Sequence, residues 1–376
     1  MRRLACAAFA LACALVALRG VGLYFGRGAD ALYDGELAAE AALARGVDDH
    51  VRAHLDTDDF ATGSSRFDGE WLFATRMMAI LGYAQTAREH PALRARHAEL
   101  ANLAADGLIS EAGRAFDRDA WGHDALADLG SERPHVAYLG YLALALANLR
   151  ELDPETPHAA LEARIIEHLA ARLDASPIGL CETYPSEVYP IDNTSFFGAL
   201  AVHDRVTGED HRALLDRLLA TLVDRYRDPR SGLLYQSVDP DDGAPLDRPR
   251  GSGTGLAAYF LHFADPALSR ALYGSIKDGL VTDAFGFATV REYPLGELGG
   301  GDIDSGPVVL GQGVSATGFT IALARLHGDR ATYHHLLATA SLVGGRTSGE
   351  VTRFALGGPI GDAMLFAMLT APRETP

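Results

Sequence analysis

The run Gly179-Leu-Cys-Glu-Thr-Tyr-Pro-Ser-Glu-Val-Tyr-Pro-Ile-Asp-Asn193 gathers a cysteine, two glutamates and two tyrosines in one polar loop that ends in Asp192-Asn193. It opens directly onto Phe196-Phe-Gly-Ala-Leu-Ala-Val202, a segment with the character of a buried helix. A helix N-terminus presents unpaired N–H groups and a partial positive charge, so acids placed there are held and ionised. Cys181 and Asp192 are therefore expected to face a cavity, with Glu182, Tyr189 and Asn193 beside them. The plainer reading is that Asp192 or Asn193 only caps the helix.

Other loops carry similar groups. Arg66-Phe-Asp-Gly-Glu-Trp71, Glu132-Arg-Pro-His135, Arg248-Pro-Arg-Gly-Ser-Gly-Thr254 and Gly301-Asp-Ile-Asp-Ser-Gly-Pro307 each precede an apolar segment. If all of them open onto one space, Asp68, Glu70, Asp192, Asp302 and Asp304 converge there with His135 and Arg250. Carboxyl groups brought together out of water have their pKa values pushed apart, which separates an acid from a base and suits proton transfer. Taken singly, each acid reads as a cap or as half of an ion pair.

The elements that must position these loops are helical. Apolar spacing and Gly, Pro and Asp breaks predict pairs: 70–88 with 91–109, 134–152 with 157–173, 193–206 with 211–226, 252–263 with 266–280, and 308–326 with 331–343. A last helix at 360–369 needs an N-terminal helix around 31–44 as its partner. The first member of each pair is apolar nearly all round, as in Val136-Ala-Tyr-Leu-Gly-Tyr-Leu-Ala-Leu-Ala-Leu146. The second is amphipathic, as in Ala160-Leu-Glu-Ala-Arg-Ile-Ile-Glu-His-Leu-Ala170. Helices apolar on every face belong inside and amphipathic ones outside. A repeat of roughly 50–60 residues with this alternation predicts an all-α fold, an (α/α)6 barrel of inner–outer helix pairs closed by the two chain ends. The alternative is an open helical array. In a closed barrel every inner helix starts on the same side, so the acidic loops share one mouth.

Composition sets the class. A chain of 376 residues with 48% apolar and 22% charged residues can bury a large core. A net charge of −17, spread along the sequence, argues against a nucleic-acid partner. Met1-Arg-Arg-Leu-Ala-Cys-Ala-Ala-Phe-Ala-Leu-Ala-Cys-Ala-Leu-Val-Ala-Leu18 has the form of an export signal. Residues 1–27 are therefore expected to be a signal peptide or an N-terminal membrane anchor, and 28–376 a single barrel domain. The body of the protein is then periplasmic or otherwise extracytoplasmic and touches membrane only through that segment. Cys181 is the one cysteine beyond it, so no disulfide framework forms inside the body. A buried, inert thiol is the commoner fate of such a residue.

Several features do not carry function. Gly311-Gln-Gly-Val-Ser-Ala-Thr-Gly318 follows no strand and lies in a helical pattern, so it is not read as a nucleotide loop. No histidine pair has metal-ligand spacing, and there is no Gly-x-Ser-x-Gly nucleophile turn. His203, His211, His327, His334 and His335 are expected at the surface. Neither metal nor cofactor is expected.

From Ala137 onward the sequence resembles linalool dehydratase/isomerase and its relatives. The resemblance runs through Ala137-Tyr-Leu-Gly-Tyr-Leu-Ala-Leu144, Gly179-Leu-Cys-Glu182, His203-Asp-Arg-Val-Thr-Gly-Glu-Asp210, Asp228-Pro-Arg-Ser-Gly-Leu-Leu-Tyr235, Arg291-Glu292, Asp302-Ile-Asp-Ser-Gly306 and Ala322-Leu-Ala-Arg-Leu-His-Gly-Asp329. It implies an exported (α/α)6 barrel that dehydrates or isomerises tertiary alkenols without a cofactor, using two cysteines, a histidine, an aspartate and tyrosines. Cys181, followed by Glu182, matches the first family cysteine; the second falls at Asp192, the family histidine at Tyr141, and a pocket aromatic near Arg250. Asp192, Cys181, Tyr141 and Asp304 are thus the expected catalytic groups. Glu182, Arg250, His135, Glu70, Trp71, Tyr189, Asn193, Asp302 and Glu292 are expected to bind substrate.

The leading expectation is acid–base dehydration, hydration or isomerisation of an alcohol more polar than a monoterpene, since Arg250 and Asp192 suit polar groups. A carbohydrate-active barrel enzyme is the first alternative, on fold analogy alone. A non-catalytic envelope binding protein is the second, and it expects the rim acids to be paired with arginines. The partner in either enzymatic reading is a small molecule, and self-association is left open.

Overall fold

A computed structural model describes residues 2–53, 55–297, 299–302 and 305–373. In chain order the helices are α1 (Arg2–Phe25), α2 (Ala29–Tyr33), α3 (Leu37–Arg52), α4 (Ser65–Glu89), α5 (Arg94–Ile109), α6 (Glu111–Trp121), α7 (Val136–Leu152), α8 (Ala159–Ala175), α9 (Pro190–Thr207), α10 (Arg212–Tyr226), α11 (Gly251–Leu261) and α12 (Pro266–Gly279). Four short strands follow, β1 (Val281–Ala284), β2 (Phe287–Arg291), β3 (Val308–Val309) and β4 (Gln312–Gly313). The chain ends with α13 (Val314–Leu326), α14 (Arg330–Gly344) and α15 (Gly358–Leu369).

The fold is predominantly helical and its packing is cyclic. Helix α4 packs on α7, α7 on α9, α9 on α11, α11 on α13, α13 on α15, and α15 returns to α4. These six carry the all-round apolar sequences, and α7 is buried from Val136 to Leu149 apart from Tyr141. The amphipathic helices α5, α8, α10, α12 and α14 lie outside them, and α3 packs on α15. The two ends of the chain thus pair, and His50 Nε2 meets Asp362 Oδ2 at 2.9 Å across that seam.

Local chemistry sets the helix starts. Pro190 and Pro266 occupy the first turns of α9 and α12, where their missing N–H costs nothing. Asp265 caps α12 by accepting from the N–H groups of Ala267 and Leu268. The ring helices run parallel, because matched contacts advance together. The position of a Cβ on Gly253 lies 3.0 Å from Ile191, and that on Gly198 lies 2.7 Å from the Phe260 carbonyl.

The structure corrects several boundaries. Helix α7 begins after Pro134, because His135 is left-handed at φ 48° and the Val136 and Ala137 N–H groups donate to the Glu182 and Thr183 carbonyls. The expected N-terminal helix is broken into α2 and α3, and α6 went unread. The expected helix 308–326 starts only at Val314, because residues 308–313 form a hairpin. The antiparallel sheet, in order β1-β2-β4-β3, was also missed. Its two hairpins turn through Phe285-Gly286 and Leu310-Gly311, every one of these residues with positive φ, in strands too short to show alternation. Gly311 and Gly313 belong to that sheet rather than to a helix. His203 is buried against Glu162 at 2.7 Å rather than at the surface.

The last turns of α1 rest on α14 and on the β1–β2 hairpin, and a Cβ on Gly22 would lie 2.4 Å from the Phe285 carbonyl. Among the described residues no helix is long and apolar enough to cross a membrane.

Candidate active site

Two hydroxyl–carboxyl pairs meet where α4, α7 and α9 present their N-terminal ends. Tyr141, on α7, donates its hydroxyl to Asp192 Oδ1 at 2.6 Å, and the Thr183 hydroxyl also bonds to that carboxyl. Tyr184 donates to Glu70 Oε1 at 2.5 Å. Arg66, one turn earlier on α4, lies 3.4 Å from Glu70 and stacks 3.6 Å over the Tyr184 ring. Burial pushes Asp192 up to about 6, although the Tyr141 and Thr183 hydrogen bonds oppose it. Burial also raises Glu70, against Tyr184 and Arg66, and the Asp192 charge adds to that rise. Two carboxyl groups in mutual electrostatic range, both displaced upward, can hold and pass a proton. Tyr141 and Asp192 are partly exposed in otherwise buried stretches of their helices.

The loop that carries Thr183 and Tyr184 is held by Asn193. Its side chain accepts from the Cys181 N–H at 2.8 Å and donates to the Cys181 and Tyr189 carbonyls, both at 3.1 Å. This clamp explains why a buried asparagine follows Asp192. Cys181 was expected to face the cavity; its side chain is instead buried, and burial pushes the thiol up to about 12. At neutral pH it is a neutral thiol, able to donate a hydrogen bond but not to act as a thiolate. Glu182 accepts from the Ser186 N–H at 2.9 Å, and Tyr189 donates to Glu187 at 3.0 Å, so both brace the loop. Trp71 packs beside the apolar cluster of Leu55, Phe60 and Leu72.

A second group forms around the start of α11. Arg250 bonds to Asp302, and to Asp247 at 2.6 Å. Burial would raise Asp302, but the Ser305 backbone and Arg250 outweigh it and hold the carboxyl low. Beneath them Glu292 is fully buried, accepts from the Ser252 hydroxyl at 2.5 Å, and is pushed up to about 7 by burial.

His135 does not reach the mouth. It is fully buried between Asp117 at 2.6 Å and Asp128 at 3.1 Å, with Trp121 packed on its ring, and ties α6 to the start of α7. Asp68 is likewise occupied, taking the Thr62 N–H and hydroxyl, each at 2.8 Å. Asp304 lies outside the described residues. The sequence reading missed Thr183 and Arg66; the four-residue spacing of Arg66 and Glu70 on a helix was the available signal. Among the described residues no three His, Cys, Asp or Glu side chains gather to hold a metal ion.

The far end of the ring has a cleft of about 360 Å³ lined by Arg88, Glu151, Arg205, His262, Phe263 and Pro372. Glu151 already neutralises Arg88 and Arg205 there, and no second carboxyl faces it among those residues. The acid pairs therefore mark the other end as the chemical one.

The helical fold is similar to that of a solved structure. An inactive variant of the alpha-1,6-mannanase of Salegentibacter sp. HEL1_6, solved with alpha-1,6-mannotetrose, superposes with a TM-score of 0.55 over 88% of this chain and 98% of that one. At 14% identity the likeness shows fold alone. A polysaccharide lyase aligns over 80% of this chain and 96% of its own at 14% identity, with a TM-score of 0.34. The family is given by sequence: the linalool dehydratase/isomerase model matches residues 153–349, more than half of the chain, and the protein belongs to that family. The matched span holds Cys181, Asp192, Arg250 and Glu292.

Proposed function

We propose that the helical ring is an (α/α)6 barrel and that its acidic mouth performs cofactor-independent dehydration, hydration or isomerisation of an alcohol. The observation that carries this reading is the 2.6 Å Tyr141–Asp192 pair, with its carboxyl at about 6 and partly exposed. In dehydration, protonated Asp192 gives its proton to the substrate hydroxyl as the C–O bond breaks and water leaves. The adjacent carbon then loses a proton to a carboxylate, for which Glu70 is the available base, and the C–H electron pair becomes the alkene. Isomerisation returns water to the other end of an allylic cation. Tyr141 orients Asp192, neutral Cys181 and Glu182 support the loop, and Arg250, Asp302 and Glu292 bound the mouth on the α11 side. Asp304, from its loop, is assigned a second acid role on sequence alone.

We place the body, residues 28–376, as one barrel domain in the periplasm, delivered by residues 1–27 as signal or anchor. The non-catalytic reading expects every rim acid paired with arginine. Glu70 and Asp302 are so paired, but Asp192 bonds to tyrosine and threonine hydroxyls, which favours catalysis.

The test is incubation with small tertiary alkenols and, separately, with glycosides, following products by mass spectrometry beside Asp192→Asn. Alkene or rearranged alcohol from the wild type and none from the folded variant is expected. Sugar release would move the protein to the glycosidase reading, and undiminished turnover in Asp192→Asn would remove Asp192 from the mechanism.

A further inference from the structure

Residues 1–29 hold four arginines and no acid, in a chain whose net charge is −17. Their helix, α1, divides at Gly22. From Leu15 to Val21 every residue is exposed, nearly two full turns with no side against the body. Of these residues only Arg19 is polar, and the run Leu4–Leu18 that leads into them carries no charge. A helix apolar on every face belongs in a protein core or in lipid. The body does not cover this stretch, which leaves lipid.

From Gly22 onward the helix is part of the fold. A glycine inside a helix is disfavoured by the backbone freedom it gives up, so its presence calls for a local reason. At Gly22 the reason is contact. It is buried, and a Cβ there would lie 2.4 Å from the Phe285 carbonyl oxygen and 3.1 Å from the Gly286 Cα, at the tip of the β1–β2 hairpin. Two residues earlier, a Cβ on Gly20 would meet nothing within 4 Å. Phe25 sets its ring 6.5 Å from that of Phe287, Gly26 lies against Ala338 on α14, and Arg346 donates to the Arg27 carbonyl at 3.2 Å. Helix α2 follows directly, with Ala29, Leu32 and Tyr33 buried. Loss of α1 would bare the hairpin tip and the Phe287 ring.

We propose that α1 is retained in the mature protein as a membrane anchor, its last turn fixed to the body, its exposed turns covered by a lipid bilayer, and the β1–β2 hairpin tip resting at the lipid surface. Covering those turns does not require α1 to cross the bilayer. A protein partner would cover one face of the helix and leave the others bare, whereas lipid covers all of them. The arginines match anionic headgroups. Tyr24 and Phe285, 57% and 45% exposed, stand at the junction, where an aromatic ring can be apolar on one side and wet on the other. Strand β2 carries the chain from that tip over five residues, roughly 16 Å, to Arg291 beside Glu292, so the anchored surface lies apart from the acidic mouth. The inference is independent of the reaction assigned to that mouth, and it selects an anchor over a cleaved signal.

The experiment expresses the full chain from Met1 in a Gram-negative host with a C-terminal tag. Its intact mass should correspond to all 376 residues plus the tag, and it should stay in the membrane pellet through an alkaline carbonate wash and be released by detergent. In detergent, Gly22→Leu should melt about 2–5 °C lower than wild type, because its side chain meets the hairpin backbone, while Gly20→Leu should melt no lower. In vesicles of phosphatidylglycerol and phosphatidylethanolamine, the fluorescence added by Phe285→Trp should be quenched by brominated phospholipid. That added by Leu310→Trp should not, since the Leu310 hairpin turns beside Glu292, whose N–H donates to the Gly311 carbonyl. An exported chain that has lost the N-terminal helix, or one that carbonate releases, would overturn the proposal. So would Gly22→Leu melting no lower than Gly20→Leu, or the absence of selective quenching at Phe285→Trp.

Discussion

Replacing Tyr141 by Phe tests the proton affinity of Asp192 with the least disturbance, since ring and packing are kept and only the hydroxyl is lost. The hydroxyl donates to Asp192 Oδ1 at 2.6 Å and stabilises the carboxylate, opposing the burial that lifts the group to about 6. A hydrogen bond to a charged group is worth about 1.5–3 kcal/mol, and one pKa unit corresponds to about 1.36 kcal/mol. Its loss should raise Asp192 by about one to two units, the Thr183 hydrogen bond keeping it from rising further. As the general acid, Asp192 is active when protonated, so kcat/KM should fall above pH ~6 in the wild type and above pH ~7–8 in Tyr141→Phe. A carbon-13 NMR titration of the aspartate carboxyls reads the same shift without needing a substrate. An inflection that stays in place or moves to lower pH would refute the assignment of Tyr141 as the group that stabilises the carboxylate.

Three other outcomes follow from the same geometry. Asp192 is raised above its unfolded value of 3.8, so the stability it contributes is present below that pH and lost as pH rises through about 6; Asp192→Asn should therefore melt higher relative to wild type at pH 7.5 than at pH 4, and a constant difference would contradict the raised carboxyl. His135→Ala leaves Asp117 buried opposite nothing and should cost about 3–5 kcal/mol by denaturant unfolding, whereas a loss under about 1 kcal/mol would show the pair to be dispensable. Cys181, buried with its thiol pushed up to about 12, should resist iodoacetamide at pH 8 in the native protein and react quickly in urea, and rapid native alkylation would show an exposed thiolate.

The helical pairs were legible because α7 and α9 are apolar around their whole circumference, whereas α8 is apolar on one face. What stayed hidden was decided by single backbone choices rather than by periodicity. Leu310 and Phe285 adopt positive φ beside glycines, and hairpins with strands as short as two residues leave no alternation to read. The loop around Cys181 was recognisable as polar and well placed, but its internal wiring was not. Asn193 reads as a helix cap in sequence and proves to be a clamp on Cys181 twelve residues earlier, a contact that only the folded loop creates. His135 looked like a rim residue for the same reason. Its two carboxylate partners, Asp117 and Asp128, lie in and just after a helix that the sequence pattern did not resolve.

The positions at which the chain departs from its relatives carry the rest of the argument. By the resemblance, a family histidine falls at Tyr141 and a family cysteine at Asp192. These two substitutions, 51 residues apart in sequence, are in direct hydrogen-bond contact in the fold. Decay of an abandoned site would leave replacements unrelated to one another, and a buried carboxyl without a donor would be costly. Here the carboxyl has a tyrosine donor on the neighbouring helix and a threonine donor in the loop, and both supply hydroxyls that a carboxylate can use. The Tyr184–Glu70 pair repeats the same chemistry one helix away, and Asp192 adds to the upward shift of Glu70. A site built of hydroxyl–carboxyl pairs would replace thiol and imidazole with carboxyl groups that burial displaces upward, and on the proposed reading these would supply the proton.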